Sequence, residues 1–273
     1  MIPQNIDLFT QCKAVVCDLD GTIYLENTPI PQSHEFVQKI LSSGKQLFYF
    51  TNNTSRSRAT YLEKISKLGF PVEDKNLITA ADCADSYLRR HNYFPRIYLV
   101  GNRDLKTEFE GRGYVCLDDV EAYREPLPSA VLLGFDTELT YRKIHTCYDL
   151  ILQDVPYIAT HADLLCPVTR TTFKPDVGSF ISLFETATGG KKPVVVGKPH
   201  QDAVTAISER AQFPPEEIAF VGDRLYTDIR MAMNFNMVGV LVLSGETTKE
   251  MLAHSSDQPK IVVDSVADLI EQL

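Results

Sequence analysis

Short apolar runs that stop abruptly at polar, chemistry-bearing residues constrain this chain more than any other feature. Ala14-Val15-Val16-Cys17, Leu47-Phe48-Tyr49-Phe50, Val194-Val195-Val196, Ile218-Ala219-Phe220-Val221 and Val240-Leu241-Val242-Leu243 are nearly unbroken hydrophobic stretches. Unbroken rather than alternating hydrophobicity is what a strand needs when helices cover both of its faces. Helix-length amphipathic stretches lie between these runs, at about Ser33 to Ser42, Arg56 to Leu68, His200 to Ala211 and Thr227 to Met233. Gly44 and Gly69 stand where helix C-caps are expected. The alternation predicts an α/β fold built on a parallel sheet.

The middle of the chain repeats this grammar independently. Ile97-Tyr98-Leu99-Val100, Ala130-Val131-Leu132-Leu133 and Tyr157-Ile158-Ala159 are further strand runs with helical stretches between them. Residues 80–188 therefore read as a second α/β domain inserted into a core made of 1–79 and 189–273, with Gly189-Gly190 as the return hinge. A chain of 273 residues that is 44% hydrophobic and 23% charged can fill two such cores.

Charge and cysteine usage exclude several classes. Twenty-seven Lys and Arg against 36 Asp and Glu give a net charge of -9, which argues against nucleic-acid binding through a basic face. A local cation and a metal can still bind phosphate under a global excess of acid. No apolar run is long enough to cross a bilayer, and the start MIPQNIDLF lacks the basic and apolar segments of a secretion signal. The six scattered cysteines show no CxxC spacing, so reduced, buried thiols in a cytoplasmic protein are expected.

The sharpest chemical signal is Asp18-Leu19-Asp20-Gly21-Thr22, directly after the first apolar run. Side chains two apart in extended chain point the same way, so both carboxylates would project from the strand's carboxyl end, where open α/β sheets bind ligands. Two carboxylates held this close need a cation, or one must protonate; Mg2+ with oxygen ligands is the natural partner. A surface turn is the plain alternative. An EF-hand loop is not, because its glycine and terminal-acid positions hold Ile23 and Pro29.

Three further apolar runs end in comparable residues. Thr51-Asn52-Asn53-Thr54-Ser55 offers hydroxyls and amides to phosphate oxygens, or else a helix N-cap. Lys198 in Gly197-Lys198-Pro199 offers a cation, or else a solvated side chain. Gly222-Asp223-Arg224-Leu225-Tyr226-Thr227-Asp228 offers two more acids, or else a helix start. Each taken alone has an ordinary structural explanation, yet four separate strands would deliver a complete phosphoryl-transfer set to one sheet edge.

In these motifs, in their order and over essentially the whole chain, the sequence resembles the haloacid dehalogenase-like (HAD) hydrolase superfamily. Only ten residues separate Asp20 from Pro31, so the long insert falls between Thr51 and Lys198, the placement of a type-2 (C2) cap. The sequence is thus similar to subfamily IIA, which holds NagD-like, 4-nitrophenylphosphatase, phosphoglycolate phosphatase and AraL-like sugar phosphatases. The resemblance implies a Rossmann-like core with an inserted C2 cap that governs substrate selectivity. It implies a Mg2+-dependent phosphatase of small phosphorylated metabolites, sugar phosphates, phosphoglycolate or nucleotides, with 4-nitrophenyl phosphate as a surrogate.

The family mechanism, carried over residue by residue, makes Asp18 the nucleophile of an aspartyl-phosphate intermediate and Asp20 the general acid and base. Mg2+ would be held by Asp18, the backbone carbonyl of Asp20 and Asp223, with Asp228 behind them. Lys198 would offset phosphate charge, and Thr51, Asn52 and Asn53 would bind substrate. In the cap, Ala159-Thr160-His161-Ala162-Asp163 resembles a segment that usually reads Ala-Thr-Asn-x-Asp. Phe173-Lys174-Pro175-Asp176-Val177-Gly178 departs from the commoner Pro-Gly-x-Gly pattern. His161, Asp163 and Asp176 are accordingly candidate cap contacts, while His200 reads as a helix-start residue. The resemblance also points to a homodimer formed through the cap.

Two other readings stay open on the sequence. A phosphomutase on the same core would keep the phosphoryl group, although the mutases for comparison carry their cap after the first motif. A catalytically silent binding protein would keep the fold without turnover. Gly-x-Ser-x-Gly and the P-loop pattern are absent, so a serine hydrolase and a P-loop NTPase find no support.

Overall fold

Strand Ala14–Asp18 lies inside a six-stranded sheet whose order across the sheet is Ile261–Val263, Val238–Val242, Ile218–Gly222, Ala14–Asp18, Gln46–Thr51, Leu77–Thr79. It pairs in parallel with Ile218–Gly222 on one side and with Gln46–Thr51 on the other. Val15, Val16 and Cys17 are completely buried, as are Phe220 and Val221 beside them, which explains why these runs carry no polar residue. The computed structural model from which these features come describes residues 4–167 and 172–273.

Because the chain leaves Ala14–Asp18 toward one neighbour and later returns on its other side, the strand order reverses there. Such a switch point opens a crevice at the strands' carboxyl ends, where doubly wound sheets place their ligands. Helix Ser33–Ser42 buries Ser33, Phe36, Val37 and Ile40, an i, i+3, i+4, i+7 stripe. It packs against the C-terminal 3-10 segment Val266–Gln272. Gly44, at a φ of 79°, ends the turn after the helix in the left-handed region that favours glycine.

The chain divides into two units. Met1–Thr51, Leu62–Ile78 and Lys198–Leu273 form the first, and Asn52–Tyr61 with Thr79–Gly197 form the second. The second unit holds a five-stranded parallel sheet in the order Val194–Val195, Tyr157–Ala159, Ala130–Leu133, Arg96–Val100, Val115–Leu117. Its core gathers Tyr98, Val131, Leu133, Cys147, Leu150 and Phe184. Helix Ala80–Arg90 starts with a reciprocal capping box between Thr79 and Asp82. The six cysteines form no disulfide among the described residues.

The run Val194-Val195-Val196 departs from the sequence reading, which placed it in the core sheet. Val194 and Val195 pair with Ile158 and Ala159 in the second unit's sheet. Gly189-Gly190 is correspondingly a helix terminus rather than a return hinge. Both glycines have positive φ, and the Gly190 N–H donates to the Glu185 carbonyl at 2.8 Å, closing helix Val177–Ala187. The first unit resumes only at Lys198.

Candidate active site

Asp18 is the last residue of its strand and pairs with Phe50 of the neighbouring one. Immediately after it the chain turns tightly. The Gly21 N–H donates to the Tyr24 carbonyl at 2.7 Å, while the Ile23 N–H donates to the Leu19 carbonyl at 3.0 Å. Gly21 sits at a φ of 87°, and a Cβ there would collide with the Asp223 carboxylate. Its glycine identity is thus required twice, by backbone conformation and by close approach.

Asp223 follows strand Ile218–Gly222, and Asp228 lies one turn later in the π-helical segment Leu225–Ile229. A π-turn inside a helix start re-aims one side chain without ending the helix. Here the Asp228 carboxylate folds back, with Oδ2 accepting the Arg224 N–H at 3.1 Å. Carboxylate oxygens of Asp18, Asp223 and Asp228 all come within 4.8 Å of one another.

Lys198 ties two of these acids together. Its Nζ donates to Asp18 Oδ1 at 2.6 Å and to Asp228 Oδ1 at 2.7 Å. The ammonium also lies 5.2 Å and 5.1 Å from the ring centroids of Phe50 and Phe220. Burial works against its charge, but the adjacent Asp18 and Asp228 carboxylates outweigh it and push the lysine above its ordinary range. Lys198 therefore remains a fixed cation.

The acids respond in the opposite direction. Burial holds the Asp18 carboxyl well above the usual carboxylate range; Lys198 opposes that shift, and Asp228 and Asp223 reinforce it. Burial likewise pushes Asp223 up to about 7, with Arg224 opposing and Asp228 adding to the rise. Three carboxylates gathered beside one ammonium leave a deficit of positive charge.

A divalent ion fits that deficit. Asp223 Oδ1 is buried with no hydrogen-bond partner among the described residues, while Oδ2 accepts the Glu246 N–H at 2.6 Å. One oxygen is anchored and the other is left for a ligand. All donors here are hard oxygens, which suits Mg2+.

Asp20 differs from its neighbours. Its side chain is 35% exposed, with Lys64 Nζ 3.9 Å from Oδ1. Partial burial raises its pKa, with Lys64, Arg224 and Lys198 pulling it back. Thr51 is buried at the end of its strand in the same unit.

The remaining expected residues lie in the second unit. The Asn52 side chain donates to Asp163 Oδ1 at 3.1 Å. Asn53 Oδ1 accepts both the N–H and the hydroxyl of Ser55 at 2.8 Å. These side chains are engaged within their own unit. His161, Asp163 and Asp176 are all buried and lie together. His200, in the first unit, occupies the N-cap position of helix Gln201–Ala211, consistent with its reading as a helix-start residue.

Sequence reasoning passed over the loop that shapes Asp223. The Thr247 N–H donates to the Asp223 carbonyl at 3.2 Å, and the Ser244 hydroxyl donates to the Gly21 carbonyl at 2.7 Å. A Cβ at Gly245 would collide with the Asp223 carboxylate, and Glu246 pairs with Arg224 at 2.9 Å. The signal was present: Ser244-Gly245-Glu246-Thr247 follows an apolar strand, as the other four motifs do. Lys64 carried no such signal, because only the packing of helix Arg58–Lys67 brings it to Asp20.

Comparison with known proteins agrees with this geometry. Haloacid dehalogenase-like hydrolase models match residues 15–115 and 195–269. A 4-nitrophenylphosphatase from Thermotoga maritima superposes with a TM-score of 0.89 at 34% identity, covering 97% of this chain and 98% of that one. NagD from Escherichia coli K-12 gives 0.83 at 28% identity, covering 94% and 98%. The glycerol-3-phosphate phosphatase of Gallus gallus is 30% identical, across 94% of this chain and 90% of its own length. With the Asp18 motif on the central strand of a Rossmann-like core, and an α/β cap of the type-2 kind inserted into that core, the chain belongs to the haloacid dehalogenase-like hydrolase family, in its NagD and 4-nitrophenylphosphatase branch, as an enzyme of the phosphatase class.

Proposed function

We propose that this chain hydrolyses phosphate monoesters of small metabolites in a Mg2+-dependent reaction that passes through an aspartyl-phosphate at Asp18. One observation carries the reading: Lys198 bridges Asp18 and Asp228 at 2.6 and 2.7 Å, at the carboxyl edge of the switch-point strand. Asp18, Asp223 and the backbone carbonyl of Asp20 would hold the metal, with Asp228 fixed behind them by Lys198 and the Arg224 N–H. When bound, Mg2+ supplies the missing positive charge, which keeps Asp18 ionised and offsets charge on the phosphoryl oxygens.

An Asp18 carboxylate oxygen attacks phosphorus in line with the leaving oxygen, forming the acyl-phosphate bond as the ester P–O bond breaks. Asp20 gives its proton to the departing alkoxide and later takes one from the water that attacks the acyl phosphate. Its raised pKa and partial exposure suit a group that must be protonated first and reached by water second. The Lys198 ammonium stabilises charge as it gathers on the transferring group, and the Thr51 hydroxyl donates to a phosphoryl oxygen.

The second unit, Asn52–Tyr61 with Thr79–Gly197, acts in this reading as the cap that selects the organic group. Its Phe173-Lys174-Pro175-Asp176 segment departs from the commoner pattern, so its substrate need not be that of its relatives. No helix among the described residues is long and apolar enough to cross a membrane. A cytoplasmic enzyme acting on soluble phosphorylated metabolites is the reading proposed here.

Incubation with 4-nitrophenyl phosphate and Mg2+ tests this. Wild-type protein releases 4-nitrophenolate, and Asp18→Asn abolishes release while leaving a folded protein that still binds Mg2+ more weakly. A near-normal rate in Asp18→Asn would overturn the nucleophile assignment. A screen of sugar phosphates, phosphoglycolate, nucleotides and pyridoxal phosphate at fixed Mg2+ then separates a broad phosphatase from one with a single steep preference.

A further inference from the structure

The second unit contains a polar cluster that phosphoryl transfer does not use. His161 is completely buried, and neither Nδ1 nor Nε2 has a hydrogen-bond partner among the described residues. Leaving a buried polar atom without a partner is costly, and this ring presents two such atoms. Each nitrogen instead faces a buried carboxylate: Nδ1 lies 3.8 Å from Asp163 Oδ2, and Nε2 lies 3.7 Å from Asp176 Oδ1. Those separations are too long for hydrogen bonds, so a proton shared between ring and carboxylate does not account for them.

A cation held by one ring nitrogen and both carboxylates fits these separations. One donor atom from each of His161, Asp163 and Asp176 can be chosen so that all three lie within 4.8 Å of one another. Ions bound at roughly 2.0–2.2 Å by nitrogen and oxygen hold their donors some 3–4.4 Å apart, so small inward movements complete the set. The surroundings are built for rigidity. Asp163 Oδ1 accepts the Asn52 amide at 3.1 Å, and Asp176 Oδ1 accepts the Val177 N–H at 2.7 Å, orienting both carboxylates as partners of metal ligands usually do.

The two contributing segments are also clamped together. The Gly178 N–H donates to the Asp163 carbonyl at 2.8 Å, and the Asp176 N–H donates to the Leu164 carbonyl at 2.9 Å. A Cβ at Gly178 would collide with the Ala162 carbonyl, so glycine there permits this close approach. His161 and Asp176 are the positions at which the two cap segments part from the patterns they otherwise resemble. The structure makes those two departures neighbours.

We propose that His161, Asp163 and Asp176 form a second metal site, taking a divalent transition cation of the Mn2+, Co2+ or Zn2+ class and pinning residues 161–163 to 176–178. An imidazole with two carboxylates selects these ions over Mg2+, which takes oxygen and dehydrates reluctantly. The site is separate in chemistry from the Asp18 cluster, whose donors are all oxygen.

Mn2+ reads the difference directly, because only the His161 site places a nitrogen on the ion. Equilibrium dialysis against Mn2+ gives the number bound, and pulsed electron paramagnetic resonance reports imidazole 14N coupling. Wild-type protein binds two ions per chain and shows the coupling. His161→Asn, which installs the residue usual in such a segment, loses one ion and all nitrogen coupling. Asp176→Asn, which keeps an acceptor for the Val177 N–H, also loses that ion, and it serves if His161→Asn does not fold. Asp223→Asn loses the other ion and keeps the nitrogen-coupled one, so failure of the first site and failure of this one are distinguishable. Absence of nitrogen coupling in both wild type and Asp223→Asn, or its persistence in His161→Asn, would overturn the proposal.

Discussion

The first unit gathers Asp18, Asp223 and Asp228 around a lysine, whereas the second gathers Asp163 and Asp176 around a histidine. In the first cluster the protein supplies part of the compensating charge itself, through an ammonium locked at 2.6 and 2.7 Å by two of the acids. In the second the ring stands 3.7 and 3.8 Å from its acids and satisfies neither nitrogen among the described residues. The comparison separates two uses of buried acid. A fixed cation beside a carboxylate at a strand's carboxyl end readies that carboxylate for chemistry. An unsatisfied ring between two carboxylates leaves a place for an ion that holds structure.

Removing the fixed cation gives the largest effect. Lys198→Ala lowers kcat at least roughly 100-fold, the scale of losing one charge-stabilising donor. It also leaves Asp18 and Asp228 buried without their counter-charge. Steady-state kinetics with 4-nitrophenyl phosphate checks this, and a mild effect would show that another cation neutralises Asp18. Lys198→Ala leaves nitrogen-coupled Mn2+ binding at His161 intact if the clusters are independent.

A purely steric change gives the next effect. Gly245→Ala drives a methyl into the Asp223 carboxylate without removing any charged group. Mg2+ affinity, read from the Mg2+ dependence of the rate, falls on the order of 10–100-fold, as when a ligand loses its orientation. An unchanged Mg2+ dependence would remove Asp223 from the metal site.

The smallest effect is on stability and depends on pH. Burial raises Asp223 from the ordinary carboxylate range to about 7, so the metal-free folded state binds a proton that the unfolded chain has already released. Stability of the metal-free protein therefore falls as pH rises from about 4 to about 7 and levels off above that. Mg2+ displaces the proton, so its stabilisation grows over the same interval. Melting curves with Mg2+ and with a chelator, taken between pH 5 and 8, should diverge upward; parallel curves would contradict the assignment of Asp223.

Much of this was legible in the chain. Unbroken apolar runs marked four of the six strands of the first sheet, because burial on both faces leaves no room for polar residues. The edge strands Leu77–Thr79 and Ile261–Val263 were missed, being three residues long and too short to show a pattern. Val194-Val195 had the right hydrophobicity for either sheet, and only its pairing with Ile158 and Ala159 decides between them. In the active cluster, Asp18, Asp20, Lys198 and Asp223 were visible because each follows an apolar run. The Gly245 loop shows its role only through how closely it approaches Asp223. His161 and Asp176 were each noticed as departures from pattern, but their proximity depends on the clamp between their segments, which sequence spacing does not encode.

The central claim is that the Asp18 carboxylate becomes phosphorylated during turnover. Quenching the enzyme in acid while it turns over 4-nitrophenyl phosphate with Mg2+, reducing it with borohydride and mapping its peptides by mass spectrometry tests this directly. The account predicts homoserine at position 18, dependent on substrate and absent when Mg2+ is chelated. Reduction at any other residue, or an unmodified position 18 in enzyme shown to be turning over with its intermediate accumulated, would contradict it.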